Sequence, residues 1–535
     1  MTLNRICRLN TGFLLATIVG TPLFAQNNVT ALSTESDWYT NGASAVEAAS
    51  RRAYNNTPGA AKNIILFVGD GMGVSTVTAA RIFAGQQQGM NGEEYELSYE
   101  KFPWTGLSKT YTTDTQVSDS AGTATAFMSG VKTRSGVINI DGRPLRGDCA
   151  GYMATPDATL LTALELAEVA GKATGIVSTA RLTHATPAAA YANSPDRNWE
   201  ADSDMPAEAI ESGCSDIAKQ LIEFEDRLKN KVNAPRNFSN IDGIEVAFGG
   251  GRRNFFGPDP DSIEGFAEAP GEGRRADGRN LVQEWKSMGG IYVMDQSGFD
   301  SLDTNDDANV LGLFQSAHMR YEANRNEDVA GEPSLTEMTV KAIDILQNDP
   351  DGFFLQVESG RVDHAHHANS AYNALNEAVE LAEAVQAAVD MVDTNETLII
   401  VTADHSHVMT LAGYPKRGNP ILGIAGNDVN GLPYTTLSYA NGAGFNVSGS
   451  TDADVRSGPP APGRHDLTEV DTNDPGYHQE TLVATGGETH AGEDVAIYAI
   501  GPGAHLLSGS IEQNVIFHVM NFAGDLVKNA SEMLE

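Results

Sequence analysis

The 535-residue sequence predicts an α/β protein: a large central, mostly parallel β-sheet flanked by helices on both faces, with one loop-rich insertion. Three observations predict it. The runs NIILFV, TGIVSTA, GFFLQV and TLIIVTA are apolar almost without interruption, as strands buried on both faces of a parallel sheet must be. Between them lie apolar patterns of helical period, DATLLTALELAEVAGK, SLTEMTVKAIDILQN and ALNEAVELAEAVQAAVDMV, the second opening with a Ser334/Glu337 capping box. Strand and helix patterns alternate, which is the order of a doubly wound domain.

The first segment belongs to transport rather than to the fold. Arg5 and Arg8 precede the apolar run Gly12 to Phe24 and the small Ala25, the layout of a secretory signal peptide (residues 1–25). The run is short for an uncleaved membrane anchor, the alternative reading. Residues 26–412 and 489–535 are expected to form the α/β domain. Residues 413–488, rich in Gly, Pro, Asn and Asp, are the insertion. Cys7 leaves with the signal, so Cys149 and Cys214 remain as an even pair in an exported chain. One disulfide is expected, with two buried thiols as the alternative.

The charge excludes some partners. There are 35 basic and 71 acidic residues, a formal net of −36. Nucleic acid and anionic membrane surfaces would be repelled, so neither is expected. Acidic clusters in turns, such as DTNDDAN and DTNDP, suit the solvated surface of a salt-adapted (halophilic) protein.

Each strand run opens onto polar groups. NIILFV leads to Asp70 in GDGMG, TGIVSTA toward His184 and Thr186, GFFLQV to Glu358, and TLIIVTA to Asp404 and His405. Ligands of doubly wound sheets sit beyond the carboxyl ends of the strands. So many carboxylates in one place repel one another unless cations compensate. In VESGRVDHAHH, Asp363 and His367 are four apart, so on a helix they share a face and can bind one cation. His490 of GGETHAGED can complete that set, and His/His/Asp is catalytic zinc chemistry. Asp70, Asp404 and His405 form a second set, while the oxygens of Thr186 and Glu358 suit Mg²⁺. Ser120, in VSDSAGTATAFMSG, stands at a helix start. Alone it reads as a cap, and no G-x-S-x-G elbow surrounds it.

The motifs GDGMG, DSAGTATA, RLTHATPAAAY, DRNWEAD, VESGRVDHAHH, VTADHSH and ETHAGED stand in the order found in alkaline phosphatases. From about Lys62 to Phe522 the sequence resembles that family, and its animal-type pattern more than that of the enteric bacterial enzyme. The resemblance implies hydrolysis of phosphate monoesters, broad in leaving group, through a phosphoserine on Ser120. It implies one zinc on Asp363, His367 and His490, and another on Asp70, Asp404 and His405. Asp70 would bridge to a third ion with Thr186 and Glu358. Mg²⁺ is expected there and Zn²⁺ is the alternative, because His184 and His364 lie near that site and residues there vary within the family. Arg197 would grip two phosphate oxygens, which suits a guanidinium fork, with Asp119 holding it. The N–H groups and dipole of the helix start would favour the anion, and the small Ala121 and Gly122 would let backbone approach it.

Further expectations rest on the same resemblance. A remote Ca²⁺ site would fall on Asp261, the Phe314 carbonyl, Gln315 and Glu332, weakened because Gln315 replaces the usual glutamate. The 413–488 insertion would be a crown-like subdomain at a homodimer interface. The protein is expected in the periplasm or secreted, with no membrane partner and no lipid anchor, since SEMLE is not an apolar tail. His407 is expected behind the metal ligands, and His318, His465, His478 and His505 are expected to be exposed and without catalytic role. Two rival functions are open to such a sequence. A metal phosphodiesterase or sulfatase would share the two-metal site but lacks support from DSAGTATA and the absent C-x-P-x-R signature. An acidic cation-binding or adhesion protein fits the charge, but not ligands confined to strand ends or the lack of repeats.

Overall fold

A computed structural model describes residues 36–50, 59–235, 237–258, 273–444 and 464–535. The expected signal peptide and Asp261 lie outside these residues. In chain order the strands are β1 (Asn63–Gly69), β2 (Trp104–Lys109), β3 (Ala173–Arg181), β4 (Val246–Gly250), β5 (Ile291–Val293), β6 (Val310–Leu313), β7 (Phe353–Ser359) and β8 (Thr397–Ala403). They continue as β9 (Ser406–His407), β10 (Met409–Leu411), β11 (Ile424–Asn427), β12 (Pro433–Thr435), β13 (Leu437–Gly442), β14 (Thr481–Ala484), β15 (His490–Ala491), β16 (Val495–Ile500) and β17 (Gly509–Glu512).

Ten of these form one sheet in the order β17-β2-β16-β8-β1-β7-β3-β4-β6-β5. Every strand in it runs the same way except β16, which is antiparallel to β8 and β2. The four uninterrupted apolar runs are β1, β3, β7 and β8, the middle of the sheet, and the reason is visible in β1. Ile64, Leu66 and Val68 point into one core while Ile65 and Phe67 point into the other. Burying each such side chain contributes roughly 1.5–3 kcal/mol. One core is covered by helices Ser120–Ser129, Ala163–Val169 and Val515–Gly524, the other by Val74–Gln87, Leu335–Leu346 and Ala371–Met391. The doubly wound α/β architecture is therefore the one the sequence predicts. Ser334 caps its helix through the expected reciprocal bonds with Glu337.

One expected helix is shorter than its pattern. DATLLTALELAEVAGK is α-helical only over Ala163–Val169. Its first half is held open because Leu160 N–H donates to the Asn139 carbonyl and Thr159 bridges to Ile140. The capping box of Thr162 with Glu165 then starts the helix.

Register positions the site. β1 lies between β7 and β8 with Val68 opposite both Glu358 and Thr402, so Asp70, Glu358 and Asp404 leave the sheet at one level. Beyond the main sheet, Met409–Ala484 contributes the small sheets β10-β13-β14 and β11-β12. Cys149 and Cys214 are joined as a disulfide across 65 residues. No helix among the described residues is long and apolar enough to cross a membrane.

Candidate active site

Asp70, Glu358 and Asp404 are fully buried at the carboxyl edge of β1, β7 and β8. The chain turns there through Gly71, at φ 71°, where an added Cβ would collide with the His407 ring. Only glycine fits that turn without strain. The Gly71 N–H donates to Asp404 Oδ1 at 2.9 Å, and the His405 N–H donates to the same oxygen at 2.8 Å.

The rest of this cluster is left wanting partners. Both carboxylate oxygens of Asp70, Asp404 Oδ2, Glu358 Oε1 and Thr186 Oγ1 are buried and accept no hydrogen bond from the described residues. Burial, then repulsion by Asp404, Asp363 and Glu358, holds the Asp70 carboxyl well above its usual range. Burial likewise lifts Glu358 to about 7. Unpaired buried oxygens that repel one another are costly unless cations pair them. The donor set therefore fits metal ions.

His405 Nε2 lies 3.2 Å from Asp404, 3.5 Å from Asp70 and 3.2 Å from Ser120 Oγ. A Ser-His-acid relay needs the acid on the ring nitrogen that faces away from serine. Here both acids and the serine meet at one nitrogen, and His405 Nδ1 has no hydrogen-bond partner among the described residues. That is the arrangement of a ligand, not of a relay.

A second set sits beside it. His367 and His490 bring their Nε2 atoms to 3.1 Å from each other, and each is 3.3 Å from Asp363 Oδ1. Their Nδ1 atoms face the carbonyls of Glu488 (2.6 Å) and Ser118 (2.8 Å). A carbonyl only accepts, so each Nδ1 carries the proton and each Nε2 offers its lone pair. The helix Arg361–His367 places Asp363 and His367 on one face, as their spacing predicts. Burial opposes ionisation of Asp363, but His367, His407 and His490 hold its carboxyl well below the usual range. His407 stands behind, as expected, with Nε2 2.8 Å from Asp363 Oδ1 and Nδ1 2.5 Å from Glu488 Oε2. Burial opposes its charge too, yet the carboxylates on either side raise His407 to about 10.

Ser120 begins the buried helix Ser120–Ser129, with Asp119 as its N-cap. Asp119 accepts from Ala121 N and Gly122 N at 3.3 Å, from Gly136 N at 2.9 Å and from Arg197 Nη1 at 2.9 Å. Two N–H groups expected to face an anion are thus turned to the cap. Gly122 has a packing reason of its own, since an added Cβ would lie 2.6 Å from Thr112 Cγ2. Arg197 Nη2 donates to His184 Nε2 at 3.0 Å.

His318 is not exposed as expected. It is half-buried with its ring centroid 3.9 Å from that of His364 and 5.4 Å from that of His184. Arg181, paired with Glu200, turns its main chain and guanidinium to the two His318 nitrogens. His478 is also buried, donating Nδ1–H to the Ala368 carbonyl at 2.5 Å. His465 and His505 are partly exposed. At the remote site Phe314 and Gln315 follow β6; Gln315 Nε2 donates to Asp328 at 3.0 Å, and Glu332 accepts the Arg320 N–H at 2.7 Å. Burial lifts Glu332 to about 8. Sequence reasoning passed over Glu488, although it stands two residues before His490 in the same motif. It also passed over Tyr439, for which no local signal exists.

A metal-dependent hydrolase with a serine at its centre is the class this fold and this site define. Known proteins narrow the class. The alkaline phosphatase family model matches residues 61–526. The chain is 42% identical over 475 residues to alkaline phosphatase of Gadus morhua, covering 88% of this chain and 93% of that one. It is 43% identical over 476 residues to the tissue-nonspecific isozyme of Homo sapiens, covering 88% and 84%. The solved alkaline phosphatase of Thermus thermophilus superposes with a TM-score of 0.59 at 25% identity over 90% of this chain and 97% of that one. The enzyme of the Antarctic bacterium TAB5 shares the fold, at TM-score 0.57 and 21% identity over 88% and 99%. The chain belongs to the alkaline phosphatase family, and its activity is that of a metal-dependent phosphomonoesterase.

Proposed function

We propose that Ser120 is the group that takes the phosphoryl, and that the enzyme is broad in its choice of monoester. The observation that carries this is Ser120 Oγ lying 3.2 Å from His405 Nε2, at the rim of carboxylates of which Asp70, Asp404 and Glu358 each keep an oxygen without a hydrogen-bond partner among the described residues. Zinc held by Asp363, His367 and His490, zinc held by Asp70, Asp404 and His405, and Mg²⁺ (or a third zinc) held by Asp70, Thr186 and Glu358 would supply Lewis acidity for nucleophile and leaving oxygen. A variant of the TAB5 enzyme has been solved with Mg bound, which is consistent with the third assignment.

This chain's own residues do the remainder. Ser120 Oγ gives its proton to hydroxide and forms a bond to phosphorus as the ester P–O bond breaks, and the departing alkoxide takes a proton from water, leaving hydroxide in its place. Water then attacks the phosphoserine, releasing phosphate and restoring the hydroxyl. Arg197 pairs with non-bridging oxygens, each Nη keeping a second N–H beyond those given to Asp119 and His184. Asp119 fixes Arg197 and caps the helix at once. A leaving alcohol that makes few contacts in this scheme would leave the specificity broad.

The reading extends to the whole chain. Export through a cleaved signal peptide, a periplasmic or secreted location, a homodimer formed through a crown-like 413–488 subdomain and a salt-adapted surface remain part of the proposal. So does a weak Ca²⁺ site on Asp261, Phe314, Gln315 and Glu332. Stripping the metals and titrating Zn²⁺ and then Mg²⁺ back, with p-nitrophenyl phosphate at alkaline pH, tests the core of it. Zinc should restore the rate and magnesium raise it further. Full activity in the stripped protein would contradict the ligand sets.

A further inference from the structure

The 413–488 insertion reaches the site through hydrogen bonds to the end of one helix. The helix Arg361–His367 carries two of the proposed zinc ligands, and the N–H groups of Ala368, Ser370 and Asn369 close its carbonyls at His364, Ala365 and His366, leaving those of His367, Ala368 and Asn369. The insertion partners these three. Glu488 N–H donates to the His367 carbonyl at 3.0 Å, His478 Nδ1–H to the Ala368 carbonyl at 2.5 Å, and Gln479 N–H to the Asn369 carbonyl at 2.9 Å. Tyr439 OH lies 2.8 Å from His366 Nδ1, and Gln479 Oε1 accepts from Ala371 N–H at 2.8 Å.

Glu488, 3% exposed, concentrates these contacts in one residue. Its carbonyl orients His367, its Oε2 holds His407, which in turn holds Asp363, and its Oε1 accepts the Val408 N–H at 2.8 Å. Two residues on, His490 completes the set. Partners of this kind fix ring orientation and tautomer, and removing one weakens metal binding by about 10–100-fold.

We infer that the insertion is a clamp on the Asp363/His367/His490 site, with Glu488 the positioning residue through which it sets zinc affinity there. This rests on those three residues being a zinc site. In E488Q one of the two oxygens that face His407 Nδ1 and the Val408 N–H is replaced by an amide nitrogen, so one of those contacts loses its carboxylate acceptor, while both main-chain bonds of residue 488 remain.

The test is zinc release from the full, metal-loaded protein to a colorimetric chelator, alongside the melting temperature of the metal-free protein. His490→Ala identifies the release phase of this site, and Asp404→Ala that of the other. E488Q should speed the first phase about 10–100-fold, leave the second unchanged, and melt as the parent does without metal. Tyr439→Phe, which removes one hydroxyl, should speed the same phase to a lesser degree and carries the comparison if E488Q does not fold. Parent rates in both variants, or equal acceleration of both phases, would overturn the clamp. A His490→Ala protein that releases zinc as the parent does would instead overturn the ligand assignment beneath it.

Discussion

Asp119 shows how many tasks one side chain carries at this site. It caps the Ser120 helix, accepts Gly136 N–H and pairs with Arg197. Burial opposes its charge, yet Arg197 holds its carboxyl below the usual range, so the pair stays ionised. The consequence falls on Arg197, whose fork is set before substrate arrives. Arg197→Ala should lose ~10²–10³-fold in kcat/KM, the usual loss for one charge-stabilising donor, and bind inorganic phosphate more weakly. Arg197→Lys should recover little, because an ammonium cannot form the fork; a lysine variant with parental KM would contradict that role. At this scale the residues proposed as ligands stood out because each lies in a motif next to a strand. The partners of those ligands were not. Glu488, Tyr439 and His318 meet the site through contacts over dozens to hundreds of residues, and only Glu488, inside ETHAGED, carries a local mark of it.

Among the elements, the helix Ala371–Met391 carries a buried acid with no strong ion pair. Burial, with smaller repulsion from Glu322 and Glu380, lifts Glu377 from 4.5 to about 8, against a hydrogen bond from Glu322 N–H and the attraction of Arg361. Between those values the folded state holds more protons than the unfolded chain, so stability from this group falls as pH rises through the window. Glu377→Gln does not titrate. Its stability relative to the parent, measured by denaturant unfolding, should therefore improve from about pH 5 to about pH 9; a difference that does not change with pH would contradict the account. The central strands were legible because burial on both faces leaves one composition open to them. Outer elements were less so: β2, next to the edge strand β17, exposes Trp104, Thr105 and Leu107, polar and apolar alike, and the first half of DATLLTALELAEVAGK keeps helical spacing while its backbone pairs with Asn139 and Ile140.

For the whole molecule, charge outweighs the other surface effects. A formal net of −36 on one chain means self-repulsion that salt screens, over a Debye length of about 10 Å at 0.1 M and about 3 Å at 1 M. Raising NaCl from low to molar levels should raise the melting temperature and preserve activity; a steady fall would contradict salt adaptation. The central claim, that the phosphoryl group passes through Ser120, is tested most directly by covalent capture. The zinc-loaded protein would be mixed with radiolabelled phosphate at mildly acid pH, quenched in strong acid, digested and sequenced beside Ser120→Ala. Label on the peptide bearing Ser120, absent from the alanine protein, is the result predicted. Label elsewhere, or equal label in both proteins, would contradict it.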